Sequence, residues 1–219
     1  MVNQGVIVEQ HYGVWVARED LCVNSCSYAP ALAKMRGILK HIQALPDTVP
    51  GIGVVVTERT LNGWAVAAAC KHLGLKCVVF YPSYTTPRPL PHGCKMAQHL
   101  CGATLIPIQA GRQSVMNAIA KKRLGRDYYM MPTALKLIET TEESYRMASA
   151  TLRQYPMIGA VVVPSGTGTH LAGIDRACRE ASVRCYGAIA YPVNVDNLRH
   201  QGVTGELSEP LSTYDTDAV

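Results

Sequence analysis

Short apolar segments alternate with longer amphipathic segments from residue 51 onward, and this alternation limits the fold more than any other feature of the sequence. The apolar segments are rich in Val and Ile, as expected for strands buried on both faces of a parallel sheet. The pattern therefore predicts an α/β fold with open, mostly parallel sheets and flanking helices. The predicted strands are 51–57, 75–82, 103–109, 127–132, 158–164 and 184–192, and the predicted helices are 62–74, 94–102, 113–125, 141–155 and 170–181.

The two ends of the chain do not follow this alternation. Residues 14–20 have the pattern of a strand and a turn, and residues 29–45 that of a helix that begins at Pro30. The residues after Pro192 have no clear period, and the last ten contain Pro, Ser, Thr and Asp in the manner of a loose tail. Regular structure is therefore predicted between residues 14 and 192.

Composition narrows the class of protein. The 219 residues are 48% hydrophobic and 17% charged, which suits one medium-sized α/β domain or two small lobes that share a cleft. No apolar run approaches the ~18 residues of a membrane helix, and the first residues lack the features of a signal peptide.

The eight cysteines are scattered singly, which favours reduced thiols in a cytoplasmic protein. No complete set of metal ligands is present, so no metal site is predicted.

The strongest candidate binding segment is 161–174, where a predicted strand leads into a loop of Gly, Ser and Thr that opens a helix. Such a loop directs backbone N–H groups and the positive end of the helix dipole toward one point, which suits a phosphate group. The loop lacks the lysine of a P-loop, and Gly173 lies two positions later than a dinucleotide-binding fingerprint requires. A plain structural turn is the alternative.

Two further segments hold candidate chemical groups. Lys34 lies among Ala, Leu and Met in the predicted helix 29–45. Such a lysine can extend its amine to solvent, or in a cleft it can lose its charge by desolvation and serve as a Schiff-base amine. Thr60 and Asn62 lie at a predicted strand-to-helix turn, where ordinary helix capping is the alternative.

Together and in this order, the segments resemble those of the fold-type II pyridoxal-phosphate enzymes, the superfamily of tryptophan synthase β, cysteine synthase, threonine synthase and D-cysteine desulfhydrase. The Schiff-base lysine segment of that family is similar to VWVAREDLCVNSCSYAPALAKMRG (14–37). Its asparagine turn is similar to TLNGWAVAAACKHLGLKCVVFYP (60–82), and a helix and strand of its small lobe to KMAQHLCGATLIPI (95–108). Its phosphate loop is similar to AVVVPSGTGTHLAGI (160–174). The joint order of these motifs is more specific than any one of them.

The resemblance implies pyridoxal 5'-phosphate as the cofactor, held as a Schiff base, or aldimine, on Lys34. It implies that Asn62 lies beside the phenolic oxygen of the cofactor and that Thr60 contributes to substrate binding. The phosphate contacts that it implies are Ser165, Gly166, Thr167, Gly168 and Thr169.

The resemblance also implies two lobes around a cofactor cleft, as in tryptophan synthase β. Residues 1–50 with 132–219 would form the larger, cofactor-binding lobe, and residues 51–131 the smaller lobe with the asparagine turn. The chain ends soon after the strand that follows the phosphate loop, so the residue facing the pyridine nitrogen is unassigned. Glu206 and Ser208 are the candidates, and a second copy of the chain in a homodimer could also complete the site.

The expected reaction is that of a lyase acting on a small free amino acid, by β-elimination, β-replacement or deamination, as in a deaminase or desulfhydrase. Two alternatives stay open. A net charge of +5 and a basic run permit a pyridoxal-phosphate enzyme, for example a decarboxylase, that acts on an amino acid attached to a DNA base, similar to the enzymes of viral thymidine hypermodification. The chain could also be a cofactor-binding relic without catalysis. The basic run, which we call the basic cluster, consists of Lys121, Lys122, Arg123 and Arg126.

Overall fold

The computed structural model of the protein describes residues 6–19, 26–189 and 195–208. The strands are β1 (Val8–His11), β2 (Val14–Ala17), β3 (Gly51–Val55), β4 (Lys76–Ser83), β5 (Thr104–Gln109), β6 (Tyr129–Met130), β7 (Ala160–Ser165), β8 (Arg184–Ile189) and β9 (Glu206–Leu207). The helices are α1 (Met35–Gln43), α2 (Asn62–His72), α3 (His92–Cys101), α4 (Gln113–Arg123), α5 (Ile138–Gln154), α6 (Thr169–Glu180) and α7 (Val195–His200).

The chain divides into two compact units, which we call the central unit and the terminal unit. The central unit comprises Val23–Leu137, and the terminal unit combines Met1–Cys22 with Ile138–Val219. None of the helices in the described part of the chain has the length and apolar character needed to cross a bilayer.

A parallel sheet with the strand order β5-β4-β3-β6 forms the centre of the central unit. All five residues of β3 are buried, because helices cover both faces of the sheet. On one face, Ile52 and Val54 pack in a core that includes Ile38 of α1 and alanines of α2. On the other face, Val55 packs in a core that includes Met116 of α4. Burial on both faces explains why β3 has a continuous apolar sequence.

The terminal unit contains a second parallel sheet, with the strand order β7-β8-β9. An antiparallel hairpin formed by β1 and β2 belongs to the same unit. Leu152 of α5 and Leu171 of α6 are buried in its core together with Val163 of β7 and Ile189 of β8. The predicted α/β fold with parallel sheets and flanking helices is therefore confirmed in both units.

Close packing of α5 against α6 depends on Gly173. A Cβ atom at this position would collide with the carbonyl oxygen of Thr141 and lie 2.8 Å from the backbone nitrogen of Tyr145. Both are backbone atoms of α5, which cannot move aside as a flexible side chain can. The requirement for glycine at position 173 thus comes from helix packing.

We expect Gly173→Ala to lower the free energy of unfolding by about 3 kcal/mol, because overpacking of a core contact outweighs the better helix propensity of alanine. Urea titration followed by circular dichroism measures this decrease. The matched control is Gly159→Ala, where an added Cβ would meet nothing within 4 Å. Equal stability of the two variants would contradict the packing role of Gly173.

Several boundaries differ from the sequence-based predictions. The predicted helix 29–45 is shorter, since α1 begins at Met35 and not at Pro30, so Lys34 precedes the helix. The predictions also missed β1, α7 and β9. Residue 20 of the predicted segment 14–20, residues 190–192 of the predicted strand 184–192, and the predicted tail lie outside the described residues.

The division into units also differs from the predicted lobes. Residues 26–50 and 132–137 group with the sheet of the central unit instead of with residues 138–208. The physical reason is a shared core, in which Met35 and Ile42 of α1 are buried together with Met131 and Leu137.

Candidate functional site

Lys34 is a buried lysine whose side chain is only 9% exposed. Its Nζ donates a hydrogen bond to the carbonyl oxygen of Ala134 at 2.9 Å. Burial, with a smaller contribution from the positive charge of Lys136, lowers the pKa of Lys34 to about 8. Near neutral pH the residue therefore has a larger neutral fraction than an ordinary lysine, which is the form that adds to an aldehyde.

The carbonyl group that Lys34 contacts belongs to a strained turn. Ala134 has a φ of 59° and Leu135 a φ of 51°, so two consecutive non-glycine residues adopt left-handed backbone conformations. Leu135 is buried in the core of the central unit, which holds the turn in place. Strain of this kind persists only where the surrounding structure enforces it, and it is commonly found at functional sites.

The lowered pKa of Lys34 predicts the pH dependence of its reaction with an aldehyde. In the apoprotein, incorporation of pyridoxal at Lys34 should increase with pH through a midpoint near 8, because the protonated amine below that pH is not a nucleophile. The measurement is the rate of label trapped by borohydride on the peptide that contains Lys34. Lys136→Gln should raise the midpoint, and a wild-type midpoint near 10.5 would contradict the effect of burial.

The turn before α2 holds the second group of candidate residues. The backbone N–H of Asn62 donates to the Thr60 hydroxyl at 3.2 Å, and Asn62 is the first residue of the helix. Gly93 of α3 packs closely against this turn, since a Cβ there would lie 2.6 Å from the Thr60 carbonyl oxygen. The Thr60 hydroxyl thus stabilises the turn, and the half-buried Asn62 side chain lies at its end.

The loop between β7 and α6, residues 165–169, is the third candidate segment, and we call it the glycine–threonine loop. Ser165 is 1% exposed, and its Oγ has no hydrogen-bond partner in the described part of the chain. Gly168 has a φ of 83° and directly precedes α6, a helix of 12 residues. A buried hydroxyl without a partner is unfavourable unless a ligand supplies one, and phosphate oxygens accept such bonds beside a helix N-terminus. The chemistry of this loop therefore fits a phosphate group.

Two residues that sequence reasoning missed support the glycine–threonine loop. Nε2 of Gln201 donates to the carbonyl oxygen of Thr167 at 2.8 Å, and the Thr169 hydroxyl donates to Oε1 of Gln201 at 3.3 Å. Leu198 of α7 occupies the space that a Cβ on Gly168 would need. No periodic sequence pattern marks this region, so only the three-dimensional contacts identify these residues.

Glu206 and Ser208, the candidates for the pyridine nitrogen, lie at and just after β9. The Ser208 hydroxyl accepts a hydrogen bond from the backbone N–H of Ile189 at 3.0 Å and so links the chain to the end of β8. The turn before β9 is held by Asp175, a buried acid of α6 that accepts bonds from the backbone N–H groups of Thr204 at 2.7 Å and Gly205 at 3.1 Å. The two candidates therefore belong to the terminal unit, as does the glycine–threonine loop.

The basic cluster lies at and after the C-terminal end of α4, and all four of its side chains are exposed. Arg123 Nη1 donates to the carbonyl oxygen of Pro107 at 3.1 Å, which ties the helix to β5. Cations in this position also stabilise the helix by complementing its dipole. The other members of the cluster are Lys121, Lys122 and Arg126.

The chain is similar in sequence to known proteins. Residues 8–213 match the family model described as pyridoxal-phosphate dependent enzyme. The chain is 34% identical over 202 residues to a glycyl-dTMP PLP-dependent decarboxylase of Pseudomonas phage M6, covering 90% of this chain and 70% of that protein. It is 30% identical over 194 residues to serine racemase of Rattus norvegicus, covering 84% of this chain and 55% of the racemase.

The solved structures extend the comparison to the fold. An ACC deaminase homologue superposes with a TM-score of 0.68 at 17% identity, over 88% of this chain and 65% of that one. A maize serine racemase superposes with a TM-score of 0.56 at 23% identity, over 71% of this chain and 46% of that one. At these identities the likeness concerns the fold alone. The chain spans about half the length of the serine racemases that it matches.

Proposed function

Because the chain belongs to the pyridoxal-phosphate dependent enzyme family, we propose that it is a decarboxylase acting on an amino acid attached to a thymidine nucleotide. The observation that carries this proposal is the match to the phage decarboxylase. That match has a higher identity than the match to the rat serine racemase and covers a larger share of both chains.

The residues proposed to hold pyridoxal phosphate come from the three segments described above. Lys34 supplies a buried amine with a lowered pKa, which suits covalent attachment of the cofactor aldehyde. Asn62 is proposed to hydrogen-bond the phenolic oxygen, and Thr60 to contribute to substrate binding. The glycine–threonine loop is proposed to bind the phosphate, which would give the Ser165 hydroxyl the acceptor that it lacks within the described residues.

The proposed groups can together carry out a decarboxylation. The bond between Cα and the carboxylate breaks, carbon dioxide leaves, and Cα gains a proton. Pyridoxal phosphate, when bound, supplies an electron sink for the electron pair that stays on Cα. Lys34 is the proposed proton donor, because an amine with a pKa of about 8 carries a proton near neutral pH and releases it readily. Its burial also limits the access of water to that proton.

The second candidate function is a lyase or racemase reaction on a free amino acid. It is favoured by the 30% identity to serine racemase, and it includes the β-elimination and deamination expected from the sequence. The third alternative, a cofactor-binding relic without catalysis, would bind pyridoxal phosphate but would react with neither the modified nucleotide nor a free amino acid.

The test offers the holoenzyme both classes of substrate. One is a thymidine nucleotide that bears glycine, and the others are free glycine, serine and cysteine, each with an isotopically labelled carboxyl carbon. We expect labelled carbon dioxide from the nucleotide alone. Ammonia, keto acid, sulfide or an inverted amino acid from the free substrates, with no reaction of the nucleotide, would replace the proposal with the second candidate. No reaction of either class in a cofactor-loaded protein would favour the relic.

We further propose that the basic cluster on α4 binds DNA that carries the modified nucleotide. Neutralising its four residues to Gln should weaken DNA binding and reduce the slope of log K against log salt by about 0.9 for each phosphate group that the variant no longer neutralises. Fluorescence anisotropy with duplex DNA at several salt concentrations measures this slope. The control neutralises Lys76 and Lys95, which are also exposed but lie outside the cluster. An equal change in the slope for both variants would contradict a specific role of the cluster.

A further inference from the structure

Gln201, which follows α7, forms two side-chain hydrogen bonds to the glycine–threonine loop. We propose that Gln201 is a positioning residue that keeps the loop in its phosphate-binding form and so sets the preference for a phosphorylated cofactor over an unphosphorylated one. The inference rests on the proposed role of the loop in binding the cofactor phosphate.

The two hydrogen bonds from Gln201 to the loop lie on either side of Gly168. Its Nε2 donates to the carbonyl oxygen of Thr167 at 2.8 Å, one residue before this glycine. Its Oε1 accepts a hydrogen bond from the hydroxyl of Thr169 at 3.3 Å, one residue after it. A single amide group therefore bridges the residues that flank the left-handed Gly168.

The bond to the Thr167 carbonyl has a direct consequence for anion binding. This carbonyl and the N–H of Gly168 belong to the same rigid peptide plane, so holding one of them fixes the direction of the other. The N–H groups at the start of a helix are the donors that bind an anion there. Without Gln201, the peptide plane between Thr167 and Gly168 would be freer to rotate, and the donor would be less well oriented.

The segment that carries Gln201 is itself well anchored. Leu198 is 1% exposed and packs against Gly168 in the space that a Cβ would need. Arg199 Nη1 donates to the carbonyl oxygens of Val203 at 3.0 Å and Gly205 at 2.9 Å, which ties α7 to the segment leading to β9. Because this segment is fixed, the hydrogen bonds from Gln201 hold the loop in one position.

The test measures the affinity of the apoprotein for pyridoxal phosphate and for pyridoxal, without reference to turnover. Both ligands can react with Lys34, and only one has a phosphate. Gln201→Met removes both hydrogen bonds at nearly constant size and should weaken pyridoxal phosphate binding about tenfold, with no change for pyridoxal. Gln201→Glu, which replaces the donor to Thr167 by an anionic oxygen, should weaken it further. His200→Met is the matched control, because His200 is the exposed neighbour of Gln201.

The Gln201 variants test the positioning role of Gln201, and the wild-type protein tests the phosphate role of the loop. A Gln201→Met variant that keeps the wild-type ratio of the two affinities, or in which both affinities fall equally, would overturn the positioning role. If that variant does not fold, the same ratio measured for Gln201→Glu decides the question. A wild-type protein that does not prefer pyridoxal phosphate over pyridoxal would instead overturn the proposed phosphate role of the loop.

Discussion

Lys34→Ala is expected to abolish the covalent attachment of pyridoxal phosphate that borohydride makes permanent, and to lower turnover about 10²- to 10⁴-fold. The variant lacks both the amine that adds to the cofactor aldehyde and the proposed proton donor to Cα. Mass spectrometry of the reduced protein measures attachment, and release of labelled carbon dioxide measures turnover.

Lys136→Ala is the control for this prediction, because it removes a nearby positive charge without removing the proposed nucleophile. We expect it to retain full labelling. A small added amine should partly restore turnover to Lys34→Ala and not change that of Lys136→Ala. Full labelling of the Lys34→Ala protein would show that another group binds the cofactor.

Thr167→Asp is expected to weaken pyridoxal phosphate binding by about 100-fold or more. A carboxylate placed beside a phosphate adds like-charge repulsion, which at about 4 Å and intermediate dielectric amounts to several kcal/mol. Position 167 suits this test better than Gly168, since any side chain at Gly168 would collide with Leu198 and require a left-handed backbone. Titration of the apoprotein followed by absorbance measures the affinity.

Thr167→Asn is the matched control for charge, because it has nearly the same size as the aspartate variant and no negative charge. We expect the asparagine variant to bind pyridoxal phosphate much more tightly than the aspartate variant. Equal affinities would mean that the loop does not lie near the phosphate, and the proposed phosphate contacts would then have to be abandoned.

The elements with strong local patterns were predictable from the sequence. The predicted strands 75–82 and 103–109 correspond to β4 (Lys76–Ser83) and β5 (Thr104–Gln109). Both carry apolar runs because the sheet to which they belong packs against helices. The order of the lysine, asparagine and phosphate-loop motifs likewise predicted the family, which the comparisons confirm.

The start of α1 and the surroundings of Lys34 were not predictable in this way. The start of α1 was predicted at Pro30, but the chain forms a turn in which the Met35 N–H bonds to the Leu32 carbonyl oxygen. Lys34 extends to Ala134, 100 residues away in sequence, and no local pattern marks such a contact. The strained φ values at Ala134 were equally invisible, since alanine has no preference for a left-handed conformation.

The residues that support the glycine–threonine loop were not predictable for a related reason. With six residues, α7 is shorter than two turns, so it leaves no helical period in the sequence. It is held by the burial of Leu198 and by the bonds from Arg199 to backbone carbonyl oxygens. Gly173 lies two positions later than the third glycine of a dinucleotide-binding fingerprint, and the structure gives it a packing role against α5.

The most direct test of the central claim is to find where the cofactor is attached in the wild-type protein. The protein is loaded with pyridoxal phosphate, reduced with borohydride, digested and mapped by mass spectrometry. We expect one phosphopyridoxyl group per chain, on the peptide that contains Lys34, the lysine whose side chain is buried and whose pKa is lowered to about 8. A label on any other lysine, or no label at all, would contradict the account.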